Sequence, residues 1–478
     1  MELWAMGPEL ILAGLTLVLL PLGPFLPPMR KEITTWMALV GLTAAAWSSA
    51  RMLSWPALPV FSGTYAVDPF AVYFKLFAIA ATGFVLFATH GYFRGRPHAG
   101  EVPTLLVLTC LGIIGLSASQ DLALIALFIQ LITVGSYILA GIVKDDRRAT
   151  EAALKLFLFA AAAGAVMLYG MSLLYGLTGT LRLPELATRL PAIPLQVTLA
   201  ALGMLLVGYG FKITLVPFHT WAPDTYQGAP TPIAGFLSVG PKAAGLAVLL
   251  RTLLVAFPDN LGNWAQGMAV LAALTMTVGN LFALRQTSAK RLLAYSSIAQ
   301  AGYLLVGVAT ATRDPLAMPG LLFYLAVYLF MNLGAFLSVD SIERRTGTDN
   351  LGNFTGLGWR LPLSTLVLTI CLLSLAGFPP LGGFVGKTML FGAVLGAGWT
   401  WLAVIMGANI ALSLYYYVRV IEPLYLHSSP EQDLGRETPA LRLILVVLAL
   451  GTLLTGLLPQ FWISLANWAT VLLATSTL

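Results

Sequence analysis

Charge is what this sequence has least of: Asp, Glu, Lys and Arg together make up 10% of its 478 residues. A soluble domain carries about 25%, so a water-soluble enzyme is excluded. The net charge of +6 fits basic loops on one side of a membrane, not a nucleic-acid surface. Cysteine is nearly absent, and Cys110 and Cys371 both lie in apolar runs where they cannot build a redox or metal cluster by themselves. The four histidines, His90, His98, His219 and His427, show no metal-ligand spacing. There is no GxGxxG in a strand–helix setting and no cysteine cluster for iron–sulfur, so the chain itself handles neither NADH nor electrons. LGGFVGKT (Leu381–Thr388) comes near the phosphate-binding loop, but it starts on leucine and lies in an apolar span. The N-terminal MELWAMGPEL is acidic and lacks a basic n-region, so a cleaved signal peptide is not expected.

What is present is hydrocarbon. Hydrophobic residues are 58% of the chain and the mean hydropathy is +0.86, the composition of an integral membrane protein. A membrane-crossing helix needs about 20 apolar residues. Segments of that kind run over 8–27, 33–54, 70–90, 102–118, 120–142, 151–176, 195–217, 230–255, 262–284, 288–309, 317–340, 361–398, 400–426 and 439–458. The stretch 361–398 is too long for one crossing unless it bends, and AGFPPLGG (Ala376–Gly383) supplies the bend. The expectation is an all-α membrane protein of about fourteen spans, with a tail from Pro459 too short and polar to cross again. If the N-terminus faces out, the alternate loops put most Lys and Arg inside, among them Arg30, Lys31, Arg94, Arg96, Lys290, Arg291, Arg344, Arg345, Arg436 and Arg442. Arg51, Arg182, Arg189, Arg251 and Arg313 are left in outer loops. Both termini are then outside.

Charges within the spans stand out. FKITLVPFHTWAPDTYQGAPTPIAGFLSVGPKAAG (Phe211–Gly245) holds Lys212 and Lys242 in apolar runs, with Pro217, Pro223, Pro230 and Pro232 between them. A cation at membrane depth costs a few kcal/mol or more. A proline break there frees backbone groups that only protein or a watery cavity can satisfy. A lysine snorkelling to the interface is the structural alternative. SLAGFPPLGGFVGKTMLF repeats the theme, with Lys387 beside Pro379, Pro380, Gly382 and Gly383. The seventh and twelfth spans cross in opposite directions, as broken helices in two inverted halves do. The halves would be spans 4–8 (102–255) and 9–13 (262–426), after an N-terminal group (1–101) and before a last helix and tail (439–478). Lys155 follows Glu151 by four residues, the favourable order for a helical ion pair. Lys75, near the start of the third span, would snorkel or pair locally. Asp68, Asp121, Glu151 and Asp340 fall at helix ends, which leaves no acid in mid-membrane beside these lysines.

Taken together, FKITLVPFHTWAPDTYQGAPTP, SVGPKAAG, SAKRLLAYSSIAQAGY (Ser288–Tyr303), EAALKLFLF (Glu151–Phe159) and LAGFPPLGGFVGK resemble the antiporter-like membrane subunits of respiratory complex I, the proton-pumping NADH:quinone oxidoreductase. The resemblance runs from about Asp68 to Pro459. Of the three such subunits, called L, M and N, the N-type is closest: Lys387 stands where the M-type has glutamate, and the long lateral helix that ends the L-type is missing. The resemblance implies a fourteen-helix fold of two inverted five-helix repeats with broken helices 7 and 12. It also implies a chain of buried charges that conducts protons, driven by quinone reduction elsewhere in the complex. Lys212 would exchange protons with the inner side, Lys242 would connect, and Lys387 would hand protons on. His219 would be a polar relay past the break, and Lys155 a lysine of lesser role. An amine removed from water can be poised to load and unload a proton, as an exposed lysine is not.

One position departs from the family. In ALFIQLITVGSYILAG (Ala126–Gly141), Gln130 stands where the family keeps the glutamate that partners the helix-7 lysine. Glutamine can hydrogen-bond an amine but carries no charge. Two readings follow: proton translocation by a modified scheme, or a scaffold subunit that has lost pumping. A subunit of a multi-subunit sodium/proton antiporter or of a membrane-bound hydrogenase shares the fold and many motifs and is the alternative identity. The resemblance implies no cofactor in this chain, with quinone, FMN and iron–sulfur clusters in partner subunits. The neighbours would be an M-type subunit and small membrane subunits, in a bacterial inner membrane.

Overall fold

Apolar runs in hydrocarbon must satisfy their backbone groups internally, which leaves helix as the form for each of them. The computed structural model describes residues 2–27, 30–257, 261–426, 434–435 and 437–472. His427, Arg436 and the tail beyond residue 472 lie outside the described residues. The principal helices are α1 (Gly7–Phe25), α2 (Glu32–Arg51), α3 (Pro69–Phe93), α4 (Glu101–Ala118), α5 (Leu122–Ala140), α6 (Arg147–Thr178), α7 (Leu195–Ile213), α8 (Trp221–Gly228) and α9 (Thr231–Arg251). They continue with α10 (Leu261–Ala283), α11 (Ala289–Thr310), α12 (Ala317–Thr346), α13 (Pro362–Ala376), α14 (Gly382–Gly396), α15 (Thr400–Leu426), α16 (Pro439–Leu457) and α17 (Pro459–Trp468). Among the described residues, eleven helices are long and apolar enough to cross a membrane, and Gly7–Gly23, Pro362–Ala376 and Gly382–Gly396 are shorter apolar helices.

The helix ends follow local chemistry. Asp68, Asp121, Asp146 and Ser288 accept hydrogen bonds from the first-turn amides of α3, α5, α6 and α11. Gly179 and Gly347 end α6 and α12 in the left-handed conformation that glycine adopts without a steric cost.

Two compact units divide the chain. The first comprises residues up to Thr214, Gly240–Trp264 and the stretch from Trp468 onward; the second comprises Leu215–Val239 and Ala265–Asn467. Helix α9 thus gives its start to one unit and its end to the other.

In the first unit an antiparallel hairpin, β1 (Leu58–Val60) with β2 (Tyr65–Val67), pairs Leu58 with Val67 and Val60 with Tyr65. It packs with Ala5, Met52, Ala71 and Ala118. Here the structure corrects three expectations. Lys75 neither snorkels nor lacks an acid: its Nζ lies 2.8 Å from Glu9 Oε1, with both side chains buried. Tyr65 donates to the same carboxylate oxygen at 2.6 Å. Glu9 lies inside the first apolar segment, 8–27, in the first turn of α1. Arg251, placed in an outer loop by the charge alternation, is fully buried at the end of α9, which continues as a π-helical turn over Thr252–Ala256. Its guanidinium forms a bidentate pair with Asp68 at 2.9 Å for both bonds and donates through Nε to the Ser117 carbonyl at 3.0 Å. In the loop after α6, the short helix Leu183–Arg189 is held by Glu185. A hydrogen bond from Thr180, with Arg182 and Arg189 close by, keeps the Glu185 carboxyl below its usual range.

In the second unit α11 and α12 are almost wholly buried. One end of the unit carries ion pairs: Arg291 with Asp224 of α8 at 2.5 Å, and Lys290 with Glu343 at 3.0 Å. Glu343 also accepts from Thr231. Asp340 is not at a helix end; it lies in the last third of α12, completely buried and paired with Arg344 at 2.5 Å.

Candidate functional site

Both spans with a proline or glycine break are broken where the sequence placed the break, and each break has a buried lysine at it. Helix α7 stops at Ile213 because Thr214 takes a left-handed φ of 68°. Residues 214–220, with Pro217 in their middle, are non-helical. The other prolines of the stretch begin helices rather than break them: Pro223 lies in the first turn of α8 and Pro232 in that of α9, where a missing N–H costs nothing. Lys212, in the last turn of α7, is 5% exposed. Its Nζ donates to Thr133 Oγ1 on α5 at 2.7 Å.

Lys242 is fully buried in the part of α9 that belongs to the first unit. One turn further on, a Cβ at Gly245 would lie 2.7 Å from Ile213 Cγ1 and 3.2 Å from Lys212 Cβ. The glycine therefore lets the end of α7 approach α9 within a turn of Lys242. Pro241 sits inside α9 and cannot donate to the Leu237 carbonyl four residues back. Within the second unit, the Tyr226 hydroxyl of α8 takes that carbonyl at 3.4 Å.

The second break spans Gly377–Leu381, between α13 and α14. Lys387, 3% exposed on α14, donates to the terminal carbonyls of α13, Leu375 at 2.7 Å and Ala376 at 3.1 Å. Cations are favoured at helix C-termini, and Tyr303 adds its ring face, with the centroid 4.6 Å from Nζ. Gly377 is required twice: its φ is +88°, and a Cβ there would lie 3.0 Å from Lys387 Cδ.

Uncharged polar side chains extend from this lysine through the second unit. Gln300 donates to the Leu375 carbonyl at 3.2 Å and to Tyr417 at 3.3 Å, and accepts from Tyr324. Asn280 donates to Tyr303 at 3.4 Å and to Asn409 at 2.9 Å. Tyr328 bonds Ser297 at 2.8 Å, and Asn332 donates to Ser238 of α9 at 2.6 Å.

The remaining expected residues are less central. His219 lies in the non-helical segment after α7, with a buried Nδ1 that has no hydrogen-bond partner among the described residues. Lys155 is 36% exposed on α6 and paired with the more exposed Glu151 at 2.7 Å. Gln130 is exposed on α5, and its amide lies against Gly164 of α6. The oxygen that receives the Lys212 amine belongs to Thr133, three residues further along the same helix. Sequence reasoning missed Thr133, Tyr303 and Gln300, although each is a polar or aromatic residue on a helix otherwise rich in apolar side chains. Among the described residues there is no group of His, Cys, Asp and Glu able to hold a metal ion.

Residues 119–413 match a family described as NADH:quinone oxidoreductase/Mrp antiporter, TM. The chain is 40% identical over 474 residues to a protein named NADH-quinone oxidoreductase subunit N from Trichlorobacter lovleyi, covering 98% of this chain and 96% of that one. It is 36% identical to the F(420)H(2) dehydrogenase subunit N of Methanosarcina mazei, covering 99% of each. In structure it is similar to a chain of respiratory complex I from Thermus thermophilus, with a TM-score of 0.82, 34% identity and coverage of 96% of this chain and 99% of that one. It also shares its fold with a chain of the Mrp complex from Dietzia, at a TM-score of 0.88 and 21% identity, covering 98% of this chain and 97% of that one.

Proposed function

The chain belongs to the NADH:quinone oxidoreductase/Mrp antiporter membrane family, and on that premise we propose that it is the N-type subunit of a complex I-like oxidoreductase. It conducts protons across the membrane through Lys212, Lys242 and Lys387, coupled to quinone reduction in other subunits. The observation that carries this reading is the pairing of two buried lysines with two broken helices, each amine ligated by neutral oxygen. A paired carboxylate raises an amine's hold on its proton, so a neutral oxygen in its place makes the proton easier to release. Neutral ligands support the ammonium without fixing it.

Quinone, FMN and iron–sulfur clusters belong to partner subunits in this reading, and an M-type subunit and small membrane subunits are the neighbours. Both termini face outward from a bacterial inner membrane, as the basic loops favour. Residues 102–255 and 262–426 are read as inverted halves, which the like placement of Lys212 and Lys387 beside helix breaks supports. His219 serves as a polar relay at the first break. Thr133 does for Lys212 the positioning that a carboxylate does elsewhere in the family, so Gln130 does not by itself remove translocation.

The test uses the purified complex reconstituted in proteoliposomes. Lys212→Met and Lys387→Met are each expected to lower protons moved per electron while quinone reduction persists. Wild-type stoichiometry in both variants would sink the proposal. In the same assay, Gln130→Glu leaves the stoichiometry unchanged if Thr133 suffices; a gain would show the glutamine to be limiting.

A further inference from the structure

The N-terminal helices lie outside the segment that the family match covers, and they carry a feature of their own. Between α2, the end of α3 and the start of α4 is a cavity of about 430 Å³ lined by Lys31, Glu32, Thr35, Thr89, His90 and Arg94. Two cations face one carboxylate there, and that carboxylate, Glu32, already holds Arg94 Nε at 2.9 Å and lies 3.8 Å from His90 Nε2. Arg96 lies exposed nearby, over the ring of Tyr92. An apolar groove of about 560 Å³ runs along α1 and α2, bounded by Ile11, Leu15 and Val18 on one side and Ile33, Trp36 and Val40 on the other. Trp36 joins the two features: it lines the groove, and its ring meets His90 edge-on at 5.9 Å.

We propose that the cavity and groove together bind one anionic phospholipid of the inner leaflet. The headgroup phosphate sits among Lys31, Arg94 and His90, and one acyl chain lies along the α1–α2 groove. The inner-leaflet placement rests on the orientation proposed above. Basic pockets between membrane helices at the inner surface are suited to anionic headgroups, and tryptophan favours the boundary between headgroup and hydrocarbon. The basic end of the groove separates an acyl chain from a partner helix: a phospholipid brings its own phosphate to Lys31 and Arg94 while its tail covers the apolar residues, whereas an apolar helix would leave those cations unmatched.

The complex in proteoliposomes can be labelled with phosphatidylglycerol or phosphatidylcholine carrying a photoreactive group midway along one acyl chain, with cross-links mapped by peptide mass spectrometry. The anionic probe is expected to label α1 and α2 around Val18 and Val40, and the zwitterionic probe to label them about tenfold less, as the loss of one to two favourable charge contacts implies. Lys31→Gln/Arg94→Gln removes the preference. Val40→Trp fills the groove without touching the charges and removes the labelling. Excess inorganic phosphate does not compete. Equal labelling by both probes, labelling unchanged in either variant, displacement by phosphate alone, or cross-links to a partner subunit from this groove would each overturn the proposal. Probe confined to one leaflet separates it from the orientation: strong anionic labelling from the outer leaflet keeps the site and overturns the orientation.

Discussion

Replacing Asp68 with asparagine removes one charge from a pair in which neither side chain is exposed at all. Asparagine keeps an oxygen for the α3 N-cap, where Asp68 accepts from Ala71 N at 2.7 Å, so the cap survives and the ion pair does not. The Arg251 guanidinium then stays buried with the Ser117 carbonyl and the ring of Phe70 as its contacts. Breaking a buried pair in this way costs about 3–5 kcal/mol, because the remaining charge has lost its counter-charge without regaining water. At 1.4 kcal/mol per decade, that shifts the folded-to-unfolded balance by roughly a hundredfold to a few thousandfold. Arg251→Met should cost a similar amount, leaving a bare buried carboxylate. The double variant should recover about 2–3 kcal/mol of the summed loss, the coupling expected of residues in direct contact. The assay is retention of this subunit in the purified complex across a graded SDS or temperature series. An Asp68→Asn variant within about 0.5 kcal/mol of wild type, or a strictly additive double variant, would refute the argument.

Two further outcomes can be checked. Gly377→Ala forces an L side chain into a φ of +88° and puts its Cβ 3.0 Å from Lys387 Cδ. A strain of about 1–2 kcal/mol should lower pumping per electron with little effect on quinone reduction, and normal pumping would show that the lysine tolerates displacement. Glu185 tests pH linkage. Its carboxyl is held below its ordinary value by the Thr180 hydrogen bond, so the folded state favours the ionised form. Its contribution is therefore fully present above the ordinary carboxylate pKa of about 4.3 and is lost as pH falls through the lower, folded value. Hydrogen exchange of the Leu183–Arg189 amides should accelerate only in that acid window, and Thr180→Val should move the onset to higher pH.

Much of the site could be read from the sequence because its signals are local. A lysine in an apolar run and a proline–glycine cluster beside it need no tertiary knowledge, and Lys212 and Lys387 lie at real helix breaks. What completes the site is not local. Thr133 is 79 residues from the lysine it receives, and Tyr303 meets Lys387 only because α11 and α14 pack together. Gln130 shows the limit set by rotation: it and Thr133 share α5, and the direction each faces depends on what α5 packs against. Charge alternation placed Arg251 outside since it counts charges along a chain and cannot see Asp68, 183 residues away, neutralising one of them. Glu9 falls within the first apolar segment, but nothing near it in the sequence names its partner, Lys75, which only the packing of α3 brings to it.

The side chains around Lys387 have a consequence for leakage. A hydroxyl can pass a proton along by accepting on one lone pair and releasing the hydrogen it held. An amide group cannot, since its nitrogen only donates and its oxygen only accepts. Gln300 stands among Leu375, Tyr324 and Tyr417 and is such a group, and the carbonyls that ligate Lys387 are dead ends of the same kind. The direct ligands of Lys387 therefore offer no relay, and on the proposed function a proton released there has to be taken up by water. On the function proposed above, conduction past Lys387 is governed by wetting: without water beside the amine the circuit is open, and the membrane potential has no route back through these side chains.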